Sequence, residues 1–338
     1  MYKRLLSEDF MKKLITFILT FVIICLPLSA CKKNDDNKNI IELNEVTHSV
    51  FYAPLYVAME EGYFADENIE ISLTNGGGAD KVMTAVVSKN AHIGLMGPET
   101  VVYVHNQGKA DAPKVFAQLT QKDGAFLVSR TNEQNFTFEN LRNKDILAGR
   151  EGGMPAMSFE YALYEQGMLR NRDYTFNFGV QFNLMTAAFE GGTSDYVTMF
   201  EPGASVFEKA GKGYVVASMG EFSGEIPYTS FIALDSYLDE NEDTVKGFLR
   251  ALKKGLDFIL SHTDTEVANS LKGQFSTDSI ENLATSIASY RAIDAWKTDL
   301  KPTEQLFDRM QDIMIFAGEL NQKVAYNKLV NLKYVNSI

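Results

Sequence analysis

The sequence predicts an α/β protein made of two doubly wound lobes. Three observations support this prediction. Short β-rich runs alternate with helical stretches, a segment of the first half has a counterpart in the second half, and two β-rich segments could carry the chain between lobes. Alternating strands and helices are typical of parallel sheets with crossover helices. The ligands of such sheets lie beyond the carboxyl ends of the strands.

The alternation is clearest after residue 39. Residues 40–43 (IIEL) and 69–73 (IEISL) have the composition of strands, and residues 53–65 between them have that of a helix. Residues 79–89 place apolar side chains at helical spacing, and residues 93–96 again favour a strand. This order predicts parallel strands joined by crossover helices.

One segment has a counterpart about a hundred residues later. Residues 85–99 (AVVSKNAHIGLMGPE) and 187–202 (AAFEGGTSDYVTMFEP) each contain a helix end, a turn, a short strand and a glutamate beside a proline. In both segments the interval from the first alanine to that glutamate is fourteen residues. Chance similarity between two βα units is common, but the match in order and interval favours a repeat of lobes.

Two further β-rich segments, residues 125–129 (AFLVS) and 229–234 (TSFIAL), could pass between the lobes. Crossovers at these places give a first lobe of residues 40–128 plus 230–338. The second lobe is then formed by residues 129–229.

The amino-terminal segment predicts export and lipidation. Residues 11–31 contain two lysines, an apolar run too short to span a bilayer comfortably, and the tetrapeptide LSAC, which resembles a lipobox. We therefore expect residues 1–30 to be a signal peptide, Cys31 to be lipidated, and residues 31–39 to form a polar tether. The other interpretation is an uncleaved anchor with an incidental cysteine.

The composition excludes several classes of protein. With 45% hydrophobic and 22% charged residues, the chain is neither disordered throughout nor a polytopic membrane protein. A net charge of −12 argues against a general nucleic-acid binder, which needs a basic face. Two cysteines cannot form a disulfide framework or a four-thiolate zinc site, and no two of the four histidines have metal-ligand spacing. Motifs such as GxSxG, the Walker loop and CxxC are missing, so we expect no metal, no cofactor and no catalysis.

Polar or glycine-rich loops follow four predicted strands. They are residues 47–54, 97–100, 149–155 and 200–202. A glycine pair before a helix leaves backbone N–H groups free for a hydrogen-bond acceptor or an anion. Each loop alone could be an ordinary βα turn, but four of them at equivalent strand ends of two lobes predict a cleft.

Four segments carry a resemblance to a known family: residues 53–73, 76–98, 149–163 and 196–202. They resemble the substrate-binding subunits of ABC importers for thiamine pyrimidine precursors, aliphatic sulfonates, nitrate and taurine. The resemblance covers about residues 45–235, and it implies the type II periplasmic-binding-protein-like fold, with two lobes that close on a small molecule.

The resemblance also implies that ligand-binding residues lie at the strand ends described above. The expected set is His48, Ser49, Phe51, Tyr52, Gly97, Glu99, Thr100, Gly152, Gly153, Met154, Asn183 and Glu201.

Two of these residues, Glu99 and Glu201, hold equivalent places on opposite lobes and can accept hydrogen bonds from N–H or O–H donors. Aromatic residues stand near them, namely Phe51, Tyr52, Tyr103, Phe182 and Phe200. This combination favours a flat heteroaromatic ligand with amino groups, such as an aminopyrimidine. Alternatively, the glutamates cap neighbouring helices. A sulfonate or nitrate would need a cation, for which Arg150 is the candidate, although pairing with a surface carboxylate is the expected role of Arg150.

The sequence thus predicts a non-enzymatic, monomeric, lipid-anchored receptor outside the cytoplasmic membrane. It would pass a small ligand to an ABC permease and its ATPase, without binding nucleic acid. Three alternatives stay open: a ligand-sensing lipoprotein without a transport role, a receptor for an organic anion such as a sulfonate, and an enzyme on the same fold. Enzymes of that kind resemble this chain but carry a cysteine-rich motif and a cytoplasmic address.

Overall fold

The computed structural model describes residues 38–338. The expected signal peptide (1–30), Cys31 and the tether up to residue 37 lie outside the described residues. No helix among residues 38–338 combines the length and apolarity that a membrane crossing needs.

Within residues 38–338, ten strands form two five-stranded sheets. In chain order the strands are β1 (Asn39–Glu45), β2 (Ile69–Asn75), β3 (Ile93–Met96), β4 (Pro113–Thr120), β5 (Ala125–Ser129), β6 (Asp145–Leu147), β7 (Thr175–Phe176), β8 (Tyr196–Phe200), β9 (Tyr214–Ser218) and β10 (Thr229–Leu234).

The two sheets share one layout. The first has the order β2-β1-β3-β10-β4, and the second has the order β7-β6-β8-β5-β9. In each sheet three strands are parallel, and an antiparallel strand that follows a crossover between the sheets pairs with the third of them. The predicted α/β class with two lobes and two crossover segments therefore describes this chain, and the repeated layout fits the sequence counterpart noted above.

The chain passes between the sheets twice, after β4 and after β9. By strand pairing, Ala125–Ser129 lies in the second sheet, because it forms a continuous antiparallel ladder with β8. The sequence had assigned residues up to 128 to the first lobe. The lobe boundaries themselves stay a prediction.

Helices cover the sheets. In chain order they are α1 (Ala53–Glu60), α2 (Tyr63–Asp66), α3 (Ala79–Val87), α4 (Glu99–Asn106), α5 (Met154–Glu165), α6 (Met185–Glu190), α7 (Gly203–Lys209), α8 (Met219–Ser223), α9 (Asp235–Glu240), α10 (Glu242–Ser261), α11 (Asp264–Ser270), α12 (Ile280–Ala292), α13 (Glu304–Phe316) and α14 (Tyr326–Leu329). Short 3-10 turns occur at Val50–Tyr52, Phe138–Leu141, Phe182–Leu184, Leu271–Gly273 and Val335–Ser337.

Helix α10 anchors the first sheet from one side. The ring of Phe248 lies 5.1 Å from that of Phe231 on β10 and 5.3 Å from that of Phe64 on α2, measured between centroids. Gly255 allows α10 to approach α1 closely, because a Cβ at this position would lie 2.2 Å from the carbonyl oxygen of Pro54. Helix α1 begins at the end of the first predicted ligand loop (47–54), so this contact holds the loop in place beside the cleft.

The close approach at Gly255 yields a stability prediction. Gly255→Ala should lower the free energy of unfolding by about 1–3 kcal/mol, because the added methyl group forces two helices apart. Denaturant unfolding of both proteins measures the change. Gly203→Ala is the matched control, since a Cβ there meets no heavy atom within 4 Å. Equal losses in the two variants would contradict the packing argument.

Candidate ligand-binding cleft

A cavity of about 310 Å³ lies between the two sheets. Its walls come from the ends of strands in both sheets and from the segment before β10. The lining residues are Val46, Thr47, Tyr52, Gly77, Gly78, Ala79, Asp80, Lys81, Gly97, Glu99, Arg150, Gly153, Met154, Pro155, Phe178, Gly179, Val180, Gln181, Phe182, Phe200, Tyr228 and Thr229. The cavity thus lies where a doubly wound fold is expected to hold its ligand.

Five of the predicted ligand residues line this cavity: Tyr52, Gly97, Glu99, Gly153 and Met154. Each follows a strand directly or stands at the beginning of a helix, so the strand–loop–helix order brings them together. The other seven lie outside the lining: His48, Ser49, Phe51, Thr100, Gly152, Asn183 and Glu201. Ligand contact stays a prediction for all twelve.

His48 faces away from the cavity, towards the carboxyl-terminal helices. Its Nδ1 lies 2.8 Å from Oε1 of the buried Glu45, and its ring stacks on Phe275 at 4.7 Å between centroids. The hydrogen bond with Glu45 raises the pKa of His48. These contacts give His48 a packing role in this structure.

Ser49 joins the first predicted loop to the opposite sheet. Its hydroxyl donates to the carbonyl oxygen of Glu201 at 2.6 Å and accepts from the N–H of Phe51 at 3.1 Å. The N–H of Glu201 donates to the Tyr290 hydroxyl at 2.9 Å. The backbone at the end of β8 is therefore fixed by two residues that are distant from it in the chain, Ser49 and Tyr290.

Phe51 fills the space between the sheets beside that link. Its buried ring lies 5.6 Å from Phe200, 5.8 Å from Tyr228 and 5.0 Å from Tyr290, measured between centroids. Gly124 makes room for it, since a Cβ there would lie 2.5 Å from the ring. Phe51 thus packs behind the cavity wall.

The Glu201 carboxylate binds the first turn of α7. It accepts hydrogen bonds from the Ser205 N–H at 3.0 Å and from the Ser205 hydroxyl at 2.6 Å. Burial raises the pKa of Glu201, and the bonds from Ser205 act in the opposite direction. This is the helix-capping arrangement that was the alternative for this residue.

Thr100, Gly152 and Asn183 are next in sequence to the lining residues Glu99, Gly153 and Phe182. The Thr100 hydroxyl donates to the Gly97 carbonyl at 2.7 Å. The Tyr103 hydroxyl donates to the Gly152 carbonyl at 2.7 Å and so bridges the lobes. Asn183 faces the glycine loop of the other lobe, since a Cβ on Gly77 would lie 3.6 Å from the Asn183 Cβ.

Glu99 is the buried charged group of the cavity wall, with 1% of its surface exposed. Its Oε1 accepts a hydrogen bond from the Met154 N–H of the opposite lobe at 3.3 Å, and its Oε2 has no partner among the described residues. Burial raises the pKa of Glu99, whereas the positive charge of Arg150 lowers it. A side chain at Gly97 would displace this carboxylate, because a Cβ at that position would lie 2.1 Å from Oε2.

Three of the five predicted aromatic residues line the cavity, namely Tyr52, Phe182 and Phe200. The rings of Phe182 and Phe200 meet edge to face at 6.2 Å between centroids. Phe51 packs behind the wall, and Tyr103 bridges the lobes. The cavity therefore offers flat apolar surfaces beside a carboxylate.

Sequence reasoning missed three parts of the wall. One is the loop and first turn of α3 (77–81), another is the loop 178–181, and the third is the pair Tyr228 and Thr229 at the start of β10. The first had a usable signal, because three glycines at 76–78 precede a helix just as the pair at 152–153 does. The other two depend on how the chain crosses between lobes.

Charged residues mark the opening of the cavity. Arg150 Nε lies 3.9 Å from Asp80 Oδ1 across the cleft. Arg150 Nη1 donates a hydrogen bond to the carbonyl oxygen of Glu151 at 2.9 Å. Lys81 also lines the cavity. The pairing of Arg150 with a partly exposed carboxylate agrees with its expected role.

The chain matches a known protein family over more than half of its length. The profile of the family described as NMT1/THI5 like matches residues 50–266. A protein of Bacillus subtilis (strain 168) whose name describes it as a binding protein, YtlA, is 38% identical over 317 residues, which cover 94% of this chain and 95% of the relative. The chain belongs to the NMT1/THI5-like family.

Solved structures are similar to this chain in fold. The alkanesulfonate-binding protein SsuA from Xanthomonas axonopodis pv. citri, bound to MOPS, matches with a TM-score of 0.70 at 16% identity, over 87% of this chain and 98% of that chain. The ligand-binding component of an ABC-type import system from Staphylococcus aureus, with zinc bound, matches with a TM-score of 0.68 at 16% identity, over 88% of this chain and 98% of that chain. These likenesses show the fold, so the expected periplasmic-binding-protein-like fold is confirmed.

No group of three or more histidine, cysteine, aspartate or glutamate side chains within residues 38–338 is arranged to hold a metal ion.

Asp123 is a buried carboxylate in the first crossover of this NMT1/THI5-like protein. Its Oδ1 accepts a hydrogen bond from the Ala125 N–H at 2.8 Å. Burial raises its pKa to about 7.

Asp123 should make stability depend on pH. Its pKa in the folded state lies above the value of 3.8 in the unfolded chain, so the folded state binds more protons between these values. The stabilising contribution is present below the unfolded pKa and is lost as the pH rises towards about 7. As the pH rises from 3.8 to about 7, the free energy of unfolding of the wild type should therefore fall relative to that of Asp123→Asn. The fall should reach up to about 1.4 kcal/mol per pH unit.

Denaturant unfolding of both proteins at several pH values measures this difference. Glu61→Gln, at an exposed position, serves as the control for a generic loss of one carboxylate. Parallel pH curves for the wild type and Asp123→Asn would show that the carboxyl group keeps an ordinary pKa.

Proposed function

We propose that this protein is the extracytoplasmic solute-binding subunit of an ABC importer. It binds a small molecule between its lobes and passes it, as a monomer, to a permease and its ATPase. The observation that carries the proposal is the cavity of about 310 Å³ between two sheets, which two chain crossings connect within residues 38–338. A ligand that contacts both lobes favours the closed arrangement over the open one, and a permease can distinguish these two states.

The walls favour a pyrimidine-like thiamine precursor or another flat heteroaromatic ligand. Tyr52, Phe182 and Phe200 provide aromatic surfaces, and Glu99 provides a hydrogen-bond acceptor. A cavity of about 310 Å³ is at the small end of the range for ligand sites, which suits a single substituted ring. Stacking between aromatic rings contributes roughly 0.5–1.5 kcal/mol beyond the burial of apolar surface.

An organic anion is the second candidate ligand. The structurally similar SsuA from Xanthomonas is an alkanesulfonate-binding protein, and both Lys81 and Arg150 line the cavity of this chain. The sequence identity of 16% does not transfer a ligand, and Arg150 faces Asp80. We therefore favour the heteroaromatic class.

Binding without turnover is the proposed activity, and the name of the Bacillus subtilis relative, a binding protein, supports it. The described residues that line the cavity include no serine, cysteine or histidine, although Asp80, Lys81 and Glu99 are side chains that can act as acid or base. We expect the ligand to leave the protein chemically unchanged.

The ligand class can be tested by identifying what the protein retains. The mature protein is purified without added ligand and denatured, and released small molecules are identified by mass spectrometry. We expect a heteroaromatic compound with at least one N–H group. A compound at a hundred times its Kd should also raise the unfolding free energy by roughly 2.7 kcal/mol. A retained sulfonate would replace the favoured class with the anion, and a ligand recovered in altered form would contradict binding without turnover.

Uptake separates import from sensing. Cells that lack the protein should lose accumulation of the labelled ligand and regain it with the wild-type gene. Unchanged accumulation, together with a lost transcriptional response to the ligand, would support the sensing lipoprotein instead.

The lipid anchor has its own test. Cys31→Ala should release the protein from the membrane fraction, because the acyl chains attached to Cys31 would contribute roughly 0.8 kcal/mol per buried methylene. Fractionation followed by immunoblotting measures the distribution, and Cys25→Ala is the matched control. Continued membrane attachment of Cys31→Ala would favour the uncleaved anchor.

A further inference from the structure

His48 lies on the first predicted ligand loop (47–54), between two residues that help to build the cleft. Thr47 lines the cavity, and the Ser49 hydroxyl donates to the carbonyl oxygen of Glu201 at the end of β8 at 2.6 Å. The side chain of His48 itself is 32% exposed, so its ring can exchange protons with the solvent. A titrating group therefore stands beside the backbone of a loop that shapes the cleft.

Both ring nitrogens of His48 face hydrogen-bond acceptors. Nδ1 lies 2.8 Å from Oε1 of Glu45, and Nε2 lies 3.1 Å from the carbonyl oxygen of Gln274. A neutral imidazole has one N–H group and can donate to only one of these acceptors, whereas an imidazolium has two N–H groups. The geometry therefore favours the protonated form, in which His48 joins strand β1 to the segment that follows α11.

The carboxylate partner of His48 is buried, since Glu45 has only 1% of its surface exposed. Its Oε2 accepts a hydrogen bond from the Tyr56 hydroxyl of α1 at 2.6 Å, while Oε1 faces His48. A buried carboxylate without a nearby cation is costly. Deprotonation of His48 removes the cation from beside Glu45, and it leaves the lone pair of one ring nitrogen facing an acceptor oxygen.

The other charged groups near this link act on the partners of His48. Glu60 of α1 accepts a hydrogen bond from the side-chain amide of Gln274 at 2.5 Å. The Lys272 ammonium donates to carbonyl oxygens of its own turn. Among residues 38–338, Glu45 is the charged side chain that is hydrogen-bonded to the His48 ring.

We propose that His48 is a proton-dependent link between the first predicted ligand loop and the carboxyl-terminal segment at Gln274. As an imidazolium it donates to Glu45 and to the Gln274 carbonyl at once, and as a neutral ring it donates to one of them only. The loop is therefore fixed while His48 carries its proton and loosens when the proton leaves. The inference goes beyond the proposed function, because it holds for any ligand that the cleft takes.

The direction of the pH dependence follows from the contacts of His48. The hydrogen bond with Glu45 raises the pKa of His48 above its ordinary value of 6.5, although burial acts in the opposite direction. The stabilising contribution is fully present below 6.5 and is lost as the pH rises through the pKa of the folded state. Over this range the unfolding equilibrium constant of the wild type should rise relative to that of His48→Gln, by up to about tenfold per pH unit.

The single tryptophan of the chain reports on the loop directly. Trp296 is buried, and its indole N–H donates to the carbonyl oxygen of Phe51 at 2.9 Å. Its fluorescence is followed in the purified mature protein from about pH 5.5 to about pH 9, a range that spans histidine titration. We expect the emission to shift to longer wavelength with a midpoint above 6.5, because a loosened loop admits water to the indole ring. Titration of the histidine ring protons by NMR should give His48 the same midpoint.

His48→Gln is the central variant, because its side chain is polar but does not take up a proton. The part of the fluorescence transition that depends on His48 should vanish, together with the NMR signal that titrates above 6.5. Glu45→Gln tests the partner, since loss of the carboxylate should lower the pKa of His48 and move the midpoint to lower pH. His105→Gln, in the last turn of α4, is the matched control and should keep the transition of the wild type.

Asp123 titrates in the same range, because burial raises its pKa to about 7. All measurements are therefore repeated in the Asp123→Asn background, where a remaining transition belongs to another group. A transition that is unchanged in a folded His48→Gln would overturn the inference, as would a His48 that titrates at or below 6.5. If His48→Gln does not fold, the NMR and fluorescence midpoints of Asp123→Asn decide: equal values support the link and different values overturn it. These readouts involve no ligand, so the inference can fail while the proposed function stands.

Discussion

The direction of the parallel strands is the constraint on which the cleft depends. In each sheet three parallel strands end at the same edge, and the loops that follow them lead into helices. The ends of β3 and β8 stand in equivalent positions, so Glu99 and Glu201 arise from the same structural place in the two lobes. After each crossing the chain forms an antiparallel strand in the sheet that it enters. This strand is β5 in the second sheet, where it pairs with β8, and β10 in the first, where it pairs with β3. The cavity exists because these two edges face each other.

Three buried carboxylates, Glu99, Asp123 and Glu201, follow strands β3, β4 and β8, and each is stabilised differently. Glu201 is held by the first turn of α7 in its own lobe, and Asp123 by the backbone N–H of Ala125. Glu99 is held across the cleft by the N–H of Met154. Burial raises the pKa of all three, because removing a charge from water is costly unless hydrogen bonds replace the solvent. Of these three, Glu99 is the one that lines the cavity and has an oxygen without a partner among the described residues.

The first predicted loop shows how local structure separates neighbours. Residues 50–52 form a 3-10 turn that begins after Ser49. Within this turn Phe51 packs against Phe200 and Tyr52 lines the cavity, whereas His48, which precedes the turn, packs against Phe275. The sequence could place the loop at a strand end, but the rotation of successive side chains about a tight turn depends on packing against residues more than two hundred positions away.

The sequence by itself determined the α/β class, the alternation of strands and helices, and the strand ends where a ligand site would form. These features follow from the periodicity of apolar residues and from glycines beside helix starts, which act over a few residues. Only the tertiary structure decided which of these residues share a cavity. It brought Glu99 to Met154, turned Glu201 to Ser205 and added Tyr228 and Thr229 from the second crossing. Except for the bond between Glu201 and Ser205, which are four residues apart, these contacts join positions far apart in the chain, so they depend on how two lobes meet and not on any local pattern.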